Sequence, residues 1–386
     1  MSKVGIGLIG CGGRLRGVYN RVVNATDQTE LIAMCDPNSH SIETTKKFNE
    51  NAKVYDNYQD LVKDPDIDWV LIGSWNSLHA EHTIAAFNAG KHVFCEKPLA
   101  LTVEDCLAMR KAWEESKKIF TIGFTLRYSP HYIRIKEIIS SGKLGDIISM
   151  EFNETLGFNH GGYIHADWRR KTQWAGSHLL EKCCHDIDLV NWMLETTAVK
   201  AASFGGCDFF KPENEHHVQR LGEDKNGNKA FQTWNHSKIS NNIINPFNDD
   251  KDILDNQVAI IEFANGVRST FHTNCNCAIP ERRMYICGTE GTLRADVITG
   301  TIEVERIGFE SEREDLSTDA KGGHGGGDNI LGESLAKSML EGAPSKTKLE
   351  DGLRAAFTAF GIDEAQRTGQ VFDFRHYWEN AGIEIV

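Results

Sequence analysis

No stretch of this sequence approaches the about 20 consecutive apolar positions that a helix needs to cross a bilayer, and no membrane span is expected among its 386 residues. The opening Met1-Ser2-Lys3-Val4-Gly5-Ile6-Gly7 lacks a basic region, an apolar signal core and a small-residue cleavage site, so a cytoplasmic protein is expected. Surplus positive charge is also missing. A formal net charge of −13 yields no counterion-release energy from DNA or RNA and disfavours an anionic membrane surface. Nucleic-acid and membrane partners are therefore not expected. The ten cysteines do not have the spacing of a zinc knuckle. The tightest groups, Cys183-Cys184-His185 and Cys275-Asn276-Cys277, lack its two-residue gap. No metal is expected, and in a reducing compartment the thiols read as buried and unpaired.

Hydrophobic residues make up 40% and charged residues 25% of the chain, an ordinary globular composition. The length is too great for one comfortable core and predicts two domains. From 4 to 123, short apolar runs alternate with stretches of helical length. The runs are Val4 to Ile9, Leu31 to Cys35, Trp69 to Ile72, His92 to Cys95 and Ile119 to Ile122; the helical stretches include His79 to Ala89 and Val103 to Ser116. Two-sided apolar strands separated by helices predict a parallel, doubly wound α/β sheet, a Rossmann domain over 1–126. After about Arg127 the strands lengthen and alternate: Ile147 to Phe152, Gln257 to Phe263, Val267 to Asn274, Arg283 to Cys287, Gly291 to Ala295 and Thr301 to Arg306. Helices are expected at Tyr132 to Ser140, Cys184 to Leu194 and Asn329 to Leu340. This predicts an α+β domain over 127–386 with a large, mostly antiparallel open sheet. One face of it needs a cover, which points to dimerisation. The polar segment 211–252 reads as an elaborated insert within that domain.

Gly10-Cys11-Gly12-Gly13-Arg14-Leu15 follows the first strand and opens a helix. Gly10 allows a sharp turn, Gly12 lets the backbone approach a pyrophosphate, and the helix N-terminus supplies N–H donors and a positive dipole end. Leu15 stands where a third glycine is usual. That suggests looser helix–strand packing or a compensating role for Gly13. Asp36 ends the second strand at roughly the distance of about 20 residues expected of the acid that binds a ribose 2′-hydroxyl. Its carboxylate would repel a 2′-phosphate, so NAD is favoured over NADP, although Arg14 could pair with a phosphate.

His92-Val93-Phe94-Cys95-Glu96-Lys97-Pro98-Leu99-Ala100 resembles the central signature of the glucose–fructose oxidoreductase / inositol dehydrogenase / rhizopine-catabolism (Gfo/Idh/MocA) superfamily. Ser74-Trp75-Asn76-Ser77-Leu78-His79 resembles the stretch ahead of it, and Gly123-Phe124-Thr125-Leu126-Arg127-Tyr128 the domain crossover. Asp255-Asn256-Gln257 and Cys287-Gly288-Thr289-Glu290-Gly291-Thr292 resemble segments of the second domain. The resemblance spans nearly the whole chain. It implies NAD(P)-dependent chemistry on sugars, polyols and related compounds, and dimers or tetramers assembled through the second-domain sheet.

The resemblance also assigns residues. The dinucleotide would be held by Gly10, Gly12, Gly13, Arg14, Leu15, Asp36, Ser74, Trp75, Asn76, His79, Glu96, Lys97 and Arg127. Lys97 matches the lysine of the Glu-Lys-Pro element and could polarise the reacting oxygen, supported by Glu96. Glu181 and His185 repeat the family's acid four residues before a histidine. On a helix that spacing shares one face, and His185, which titrates near neutrality, is the general acid/base candidate. Glu181 would bind substrate or orient His185. Lys182 could bind an acidic group on the substrate, lower a neighbour's pKa, or be solvated. Asp188 could orient a hydroxyl or cap the helix. Tyr128, Trp168 and Arg169 are candidate walls of a sugar site, with core packing the alternative for Trp168 and Trp174. The glycine-dense Lys321 to Asp328 segment carries His324 and reads as a substrate-side loop or a hinge, with Asp328 a possible helix cap.

Three activities fit these residues. The first is a dehydrogenase that moves a hydride between nicotinamide and a secondary hydroxyl of a sugar, polyol or derivative. The second is a redox-neutral, NAD-dependent glycoside hydrolase acting by transient oxidation, elimination, water addition and re-reduction. The third is a non-catalytic sensor, against which Lys97 and His185 count.

Overall fold

The computed structural model describes residues 3–231, 244–319 and 322–385. It divides the chain into two units, one formed by 1–129 with 322–356 and the other by 130–321 with 357–386.

The first unit is a six-stranded, all-parallel sheet in the order β3-β2-β1-β4-β5-β6. The strands are β1 (Val4–Ile9), β2 (Thr29–Cys35), β3 (Lys53–Val54), β4 (Trp69–Ile72), β5 (His92–Cys95) and β6 (Phe120–Ile122). The strand β4 is buried along its whole length, as a strand covered on both faces must be. Helix Gly13–Ala25 covers one face through Leu15, Val18, Tyr19 and Val22.

The expectation that everything after 127 belongs to the second domain needs correction. Residues 322–356 belong to the first unit. Helix Gly327–Glu341 turns Leu331, Leu335, Ala336 and Met339 into the same core as Val18, Tyr19 and Val22. Its Gly332 lies so close to Arg21 that a Cβ there would come within 2.9 Å of backbone. An apolar stripe at helical spacing buries where a matching stripe exists, whatever its place in the chain.

The second unit is a nine-stranded sheet in the order β14-β13-β12-β11-β7-β10-β9-β8-β15. Its strands are β7 (Ile147–Gly157), β8 (Ala198–Gly206), β9 (Asn256–Phe263), β10 (Arg268–Cys277), β11 (Arg283–Gly288), β12 (Gly291–Asp296), β13 (Thr301–Arg306), β14 (Glu314–Asp315) and β15 (Phe372–Asp373). All pairs are antiparallel except β7 with β10. Alternating burial along β9 and β10 shows one covered face and one open face. The long helix His178–Leu194 is buried along most of its length.

Of the insert expected at 211–252, residues 232–243 lie outside the described residues, as does Lys321. The described part packs onto the second unit's own elements. Phe210, Phe231 and Phe247 pack with Leu156, Ile164 and Cys275, ring against ring at 5.2 to 5.9 Å. Among the described residues, no helix is long and apolar enough to cross a membrane.

Candidate active site

In the first unit the glycine turn has the shape of an anion cradle. Gly10 has φ +82°, and a Cβ on it would strike the backbone of Gly73 and Ser74 at 2.5 to 2.7 Å. Only glycine fits. Gly12 is the N-cap of helix Gly13–Ala25, has no capping side chain, and faces open space within 4 Å of where its Cβ would be. Exposed N–H donors beside a gap suit a phosphate. Asp36 sits directly after β2 and accepts hydrogen bonds from the Cys11 N–H (2.5 Å) and the Asn38 N–H (2.7 Å). The turn and the acid are therefore one rigid piece. Burial, with Asp36 adding to it, pushes the Cys11 thiol up to about 12, so it stays protonated.

The departure at Leu15 is resolved from the other side. Its side chain is fully buried, and a Cβ on Gly73 would lie 2.6 Å from that of Leu15. The missing glycine of the helix is replaced by a glycine on the neighbouring strand end. Gly13 does not compensate, since a Cβ on it would meet nothing nearer than Arg16 at 3.9 Å. Leu15 serves the core, not a cofactor, through its side chain.

Several residues expected to touch a dinucleotide have their side chains committed inside this unit. Arg14 donates from Nε to Glu96 Oε1 (2.8 Å), from Nη1 to Asp328 Oδ1 (2.6 Å) and from Nη2 to Thr125 Oγ1 (2.6 Å). Three of its five N–H donors are thus engaged within this unit. His79 is completely buried, with Nδ1 2.7 Å from the Pro98 carbonyl and Nε2 3.2 Å from that of Ser74. Burial holds its pKa below the ordinary value. The ring's contact with the Pro98 carbonyl steadies the backbone after Lys97. Arg127 is ion-paired with Asp351 at 3.0 Å and 8% exposed. Tyr128 lies in the core, its hydroxyl 3.2 Å from Thr347 Oγ1, and does not line a sugar site. Ser74 Oγ pairs with His82 Nδ1 at 2.9 Å, Asn76 is buried, Trp75 is exposed and Lys97 is half-buried.

The glycine-dense loop belongs to this unit too. Gly322, His324, Gly325 and Gly326 all have positive φ. Asp328 is not the helix cap, because that position falls on Gly326. Its carboxylate instead receives Arg14 on Oδ1 and lies 3.1 Å from His324 Nδ1 on Oδ2. The loop is thus tied to the glycine turn.

In the second unit, helix His178–Leu194 starts earlier than its apolar pattern suggests, capped by Ser177, whose side chain accepts from the Leu180 N–H. Glu181, Lys182, His185 and Asp188 therefore all lie on one helix, and Glu181, His185 and Asp188 are buried. Arg169 grips Glu181 (Nε to Oε1, 3.0 Å) and Asp167 (Nη1 to Oδ1, 2.8 Å), donates to the Tyr163 hydroxyl at 2.9 Å, and stacks 4.4 Å over Trp168. Lys182 Nζ is 3.3 Å from Glu154 Oε1. Arg282 Nη1 is 3.1 Å from the same oxygen, while its Nε and Nη2 hold Asp186 at 2.7 and 2.6 Å. Burial raises the Asp186 carboxyl to about 7 against the pull of Arg282. Glu154 is held below the ordinary range because Arg282 and Lys182 outweigh its burial.

Glu154, Asp186, Arg282, Asp167, Tyr163 and Gly73 are missing from the sequence reading. The strand read from the sequence stops at Phe152, two residues short of Glu154, and none of these residues carried a local signal. Two groups of potential metal ligands come together, His165–Cys207–Asp255 and Glu154–Cys183–Asp186. In the first, Asp255 accepts from the backbone N–H groups of Asp208, Phe209 and Phe210. In the second, both carboxylates are taken by Arg282.

A parallel dinucleotide fold with this turn, joined to a large open-faced mixed sheet, defines a class of two-part oxidoreductases. Residues 4–124 match the model of the NAD-binding Rossmann fold of the GFO_IDH_MocA oxidoreductase family, and residues 136–374 match its C-terminal alpha/beta domain. The chain belongs to that family. It is 36% identical over 195 residues to inositol 2-dehydrogenase of Salmonella typhimurium, covering 50% of this chain and 53% of that protein. The chain spans about half the length of the curated inositol 2-dehydrogenases it matches. Among solved structures it resembles levoglucosan dehydrogenase in complex with NADH and levoglucosan, with a TM-score of 0.78, 21% identity, and coverage of 97% of this chain and 100% of that one. It also resembles myo-inositol 2-dehydrogenase from Lactobacillus plantarum, with a TM-score of 0.71, 21% identity, and coverage of 96% and 99%. These two likenesses speak for the fold.

Proposed function

We propose that this protein is an NAD-dependent oxidoreductase that transfers a hydride between nicotinamide and a secondary hydroxyl of a sugar or polyol. One observation carries the reading. The half-buried Lys97 follows Glu96, whose carboxylate is bound by Arg14 of the glycine turn, so the backbone that bears Lys97 is fixed to the dinucleotide cradle. The relatives' names, inositol 2-dehydrogenase and levoglucosan dehydrogenase, support the substrate class, and Asp36 supports NAD.

The bound dinucleotide would supply the hydride acceptor. Gly10, Gly12 and Gly13 would present backbone to its pyrophosphate, Asp36 would accept from its ribose, and Ser74, Trp75 and Asn76 would lie along it. Lys97 would hold the reacting oxygen. His185 would take the hydroxyl proton on oxidation and return it on reduction, with Glu181, braced by Arg169, fixing the helix face on which it acts. Trp168 and Asp188 complete the proposed sugar wall, and His324 remains a candidate through its loop. Phe204 and Ile260, 70% and 61% exposed on β8 and β9, support a homodimer or homotetramer joined through the open sheet face, which light scattering would read. A cytoplasmic location is proposed with it.

The test is a screen of the purified protein with NAD against free sugars, polyols and aryl glycosides, following NADH and aglycone release together. NADH rising with a free sugar or polyol is the expected result. Aglycone release at constant NADH would overturn net oxidation in favour of redox-neutral glycoside cleavage.

A further inference from the structure

In the sequence, Lys182 looks like a residue waiting for an acidic substrate. The fold gives it an internal acid instead. Glu154, on the buried end of β7, places Oε1 3.3 Å from Lys182 Nζ, and its side chain is 5% exposed. Arg282 reaches the same oxygen, but its fork is spent on Asp186 through two bonds. The neighbouring cation is balanced in the same way, Arg169 being held by both Glu181 and Asp167. In this wall the three cations Arg169, Lys182 and Arg282 therefore meet four carboxylates, Asp167, Glu181, Glu154 and Asp186.

We propose that this wall selects uncharged polyhydroxylated substrates and rejects sugar acids, and that Glu154 is the specificity-determining residue because it cancels the charge of Lys182. The proposal rests on the reading of the protein as a sugar or polyol oxidoreductase. A substrate carboxylate placed on Lys182 would also stand beside Glu154. Attraction and repulsion would largely cancel, and the lost hydration of the carboxylate would go uncompensated. A hydroxyl meets no such obstacle. An ammonium has three donors, so Lys182 can hold Glu154 and still donate to a neutral oxygen. Glu154 touches no substrate in this account; it acts through Lys182.

The experiment compares kcat/KM of the full chain with NAD for D-glucose and myo-inositol against D-glucuronate. It is run at about pH 8.5, where a carboxyl that titrates near neutrality is ionised. Wild type is expected to favour a neutral compound by about 100-fold or more. Glu154→Gln leaves Lys182 uncancelled and should raise glucuronate relative to the neutral substrate by at least about tenfold. The double variant Glu154→Gln with Lys182→Gln should lose that gain. Should Glu154→Gln fail to fold, Lys182→Gln alone serves. It leaves Glu154 without Lys182 and should lower glucuronate further relative to the neutral compounds, whereas an unchanged or raised share of glucuronate would overturn the proposal. Wild type oxidising glucuronate as well as the neutral compounds, or Glu154→Gln with an unchanged ratio, would overturn it too. No NADH from any of the three probes, nor from the wider panel of sugars and polyols, would instead remove the oxidoreductase reading, and this proposal with it.

Discussion

Arg14 and Glu96 stand 82 positions apart in the chain and 2.8 Å apart in the fold. The pair joins the glycine turn to the residue before Lys97, and through Asp328 it also holds the glycine-dense loop. Glu96 and Asp328 are 7% and 9% exposed in their side chains, Arg14 35%. Removing one partner of a fully buried pair costs about 3–5 kcal/mol; the part-exposed arginine brings the expected cost of Arg14→Met down to roughly 2 kcal/mol. A melting curve should shift down by about 4–8 °C. Unchanged melting would mean the network does not hold the turn.

The same network has an acid limb. Asp328 is held well below its ordinary 3.8, because His324 and Arg14 outweigh its burial. A depressed carboxylate contributes stability that is present above the unfolded pKa and is lost as pH falls through the folded one. The pair should therefore add stability above about pH 4 and lose it progressively below. Urea titrations of wild type and Arg14→Met between about pH 7 and pH 3 should draw together toward the acid end without meeting. Parallel curves would exclude Asp328 as the titrating group.

Gly73 and Leu15 make a second linked pair. Gly73→Ala would place a methyl 2.6 Å from the Leu15 Cβ, an overpacking expected to cost about 1–3 kcal/mol and to weaken NADH binding by displacing the turn. Leu15→Ala clears only part of the conflict, since the Cβ itself remains, so the double variant should regain little. Leu15→Gly with Gly73→Ala should recover most of the NADH affinity. A double-mutant cycle that shows simple additivity would deny the contact.

That exchange shows where the sequence is legible. The apolar runs predict β1, β4 and β5 to the residue, because two-sided burial writes an uninterrupted apolar run. The strand β3 is two exposed residues and carries no such run. The strand β8, Ala198–Gly206, is weak in the large branched residues that mark strands. The glycine turn and Asp36 are local and readable. The partner of Leu15 lies 58 positions on, and the partners of Arg14, Tyr128 and Lys182 lie on other elements. Residue type and spacing do not reveal whether an exposed-looking charge is already paired across the fold.

Tyr128 tests that limit directly. Its ring is core and its hydroxyl meets Thr347 Oγ1 at 3.2 Å. Tyr128→Phe should lower stability by about 1 kcal/mol and leave KM for the best sugar or polyol unchanged. A severalfold rise in KM with unchanged melting would return Tyr128 to the substrate site.

Asp36→Ala should weaken NAD binding about tenfold or more and NADP binding less, since the carboxylate that favours the ribose hydroxyl also repels a 2′-phosphate. Fluorescence titration with NADH and NADPH reads the ratio. Because Asp36 also anchors the Cys11 N–H, some loss with both cofactors is expected. The change in the ratio carries the assignment, and an equal loss would remove it.

Lys97 is the sharpest test of the chemistry. Its backbone is steadied by His79 on Pro98 and by Arg14 on Glu96, contacts that do not involve its amine. Lys97→Met should therefore fold as wild type by circular dichroism. An amine that stabilises the reacting oxygen acts mainly in the transition state, so kcat/KM should fall by about 10²–10⁴, while NADH affinity, set chiefly by the glycine turn, changes by less than about tenfold. His185→Asn should give a loss of the same order and also flatten the rise of kcat/KM across the pH range in which a histidine base loses its proton. If Lys97→Met lost NADH affinity in proportion to turnover, the lysine would be a cofactor ligand only. If both variants kept full turnover, the hydride-transfer chemistry would have to be sought on other residues.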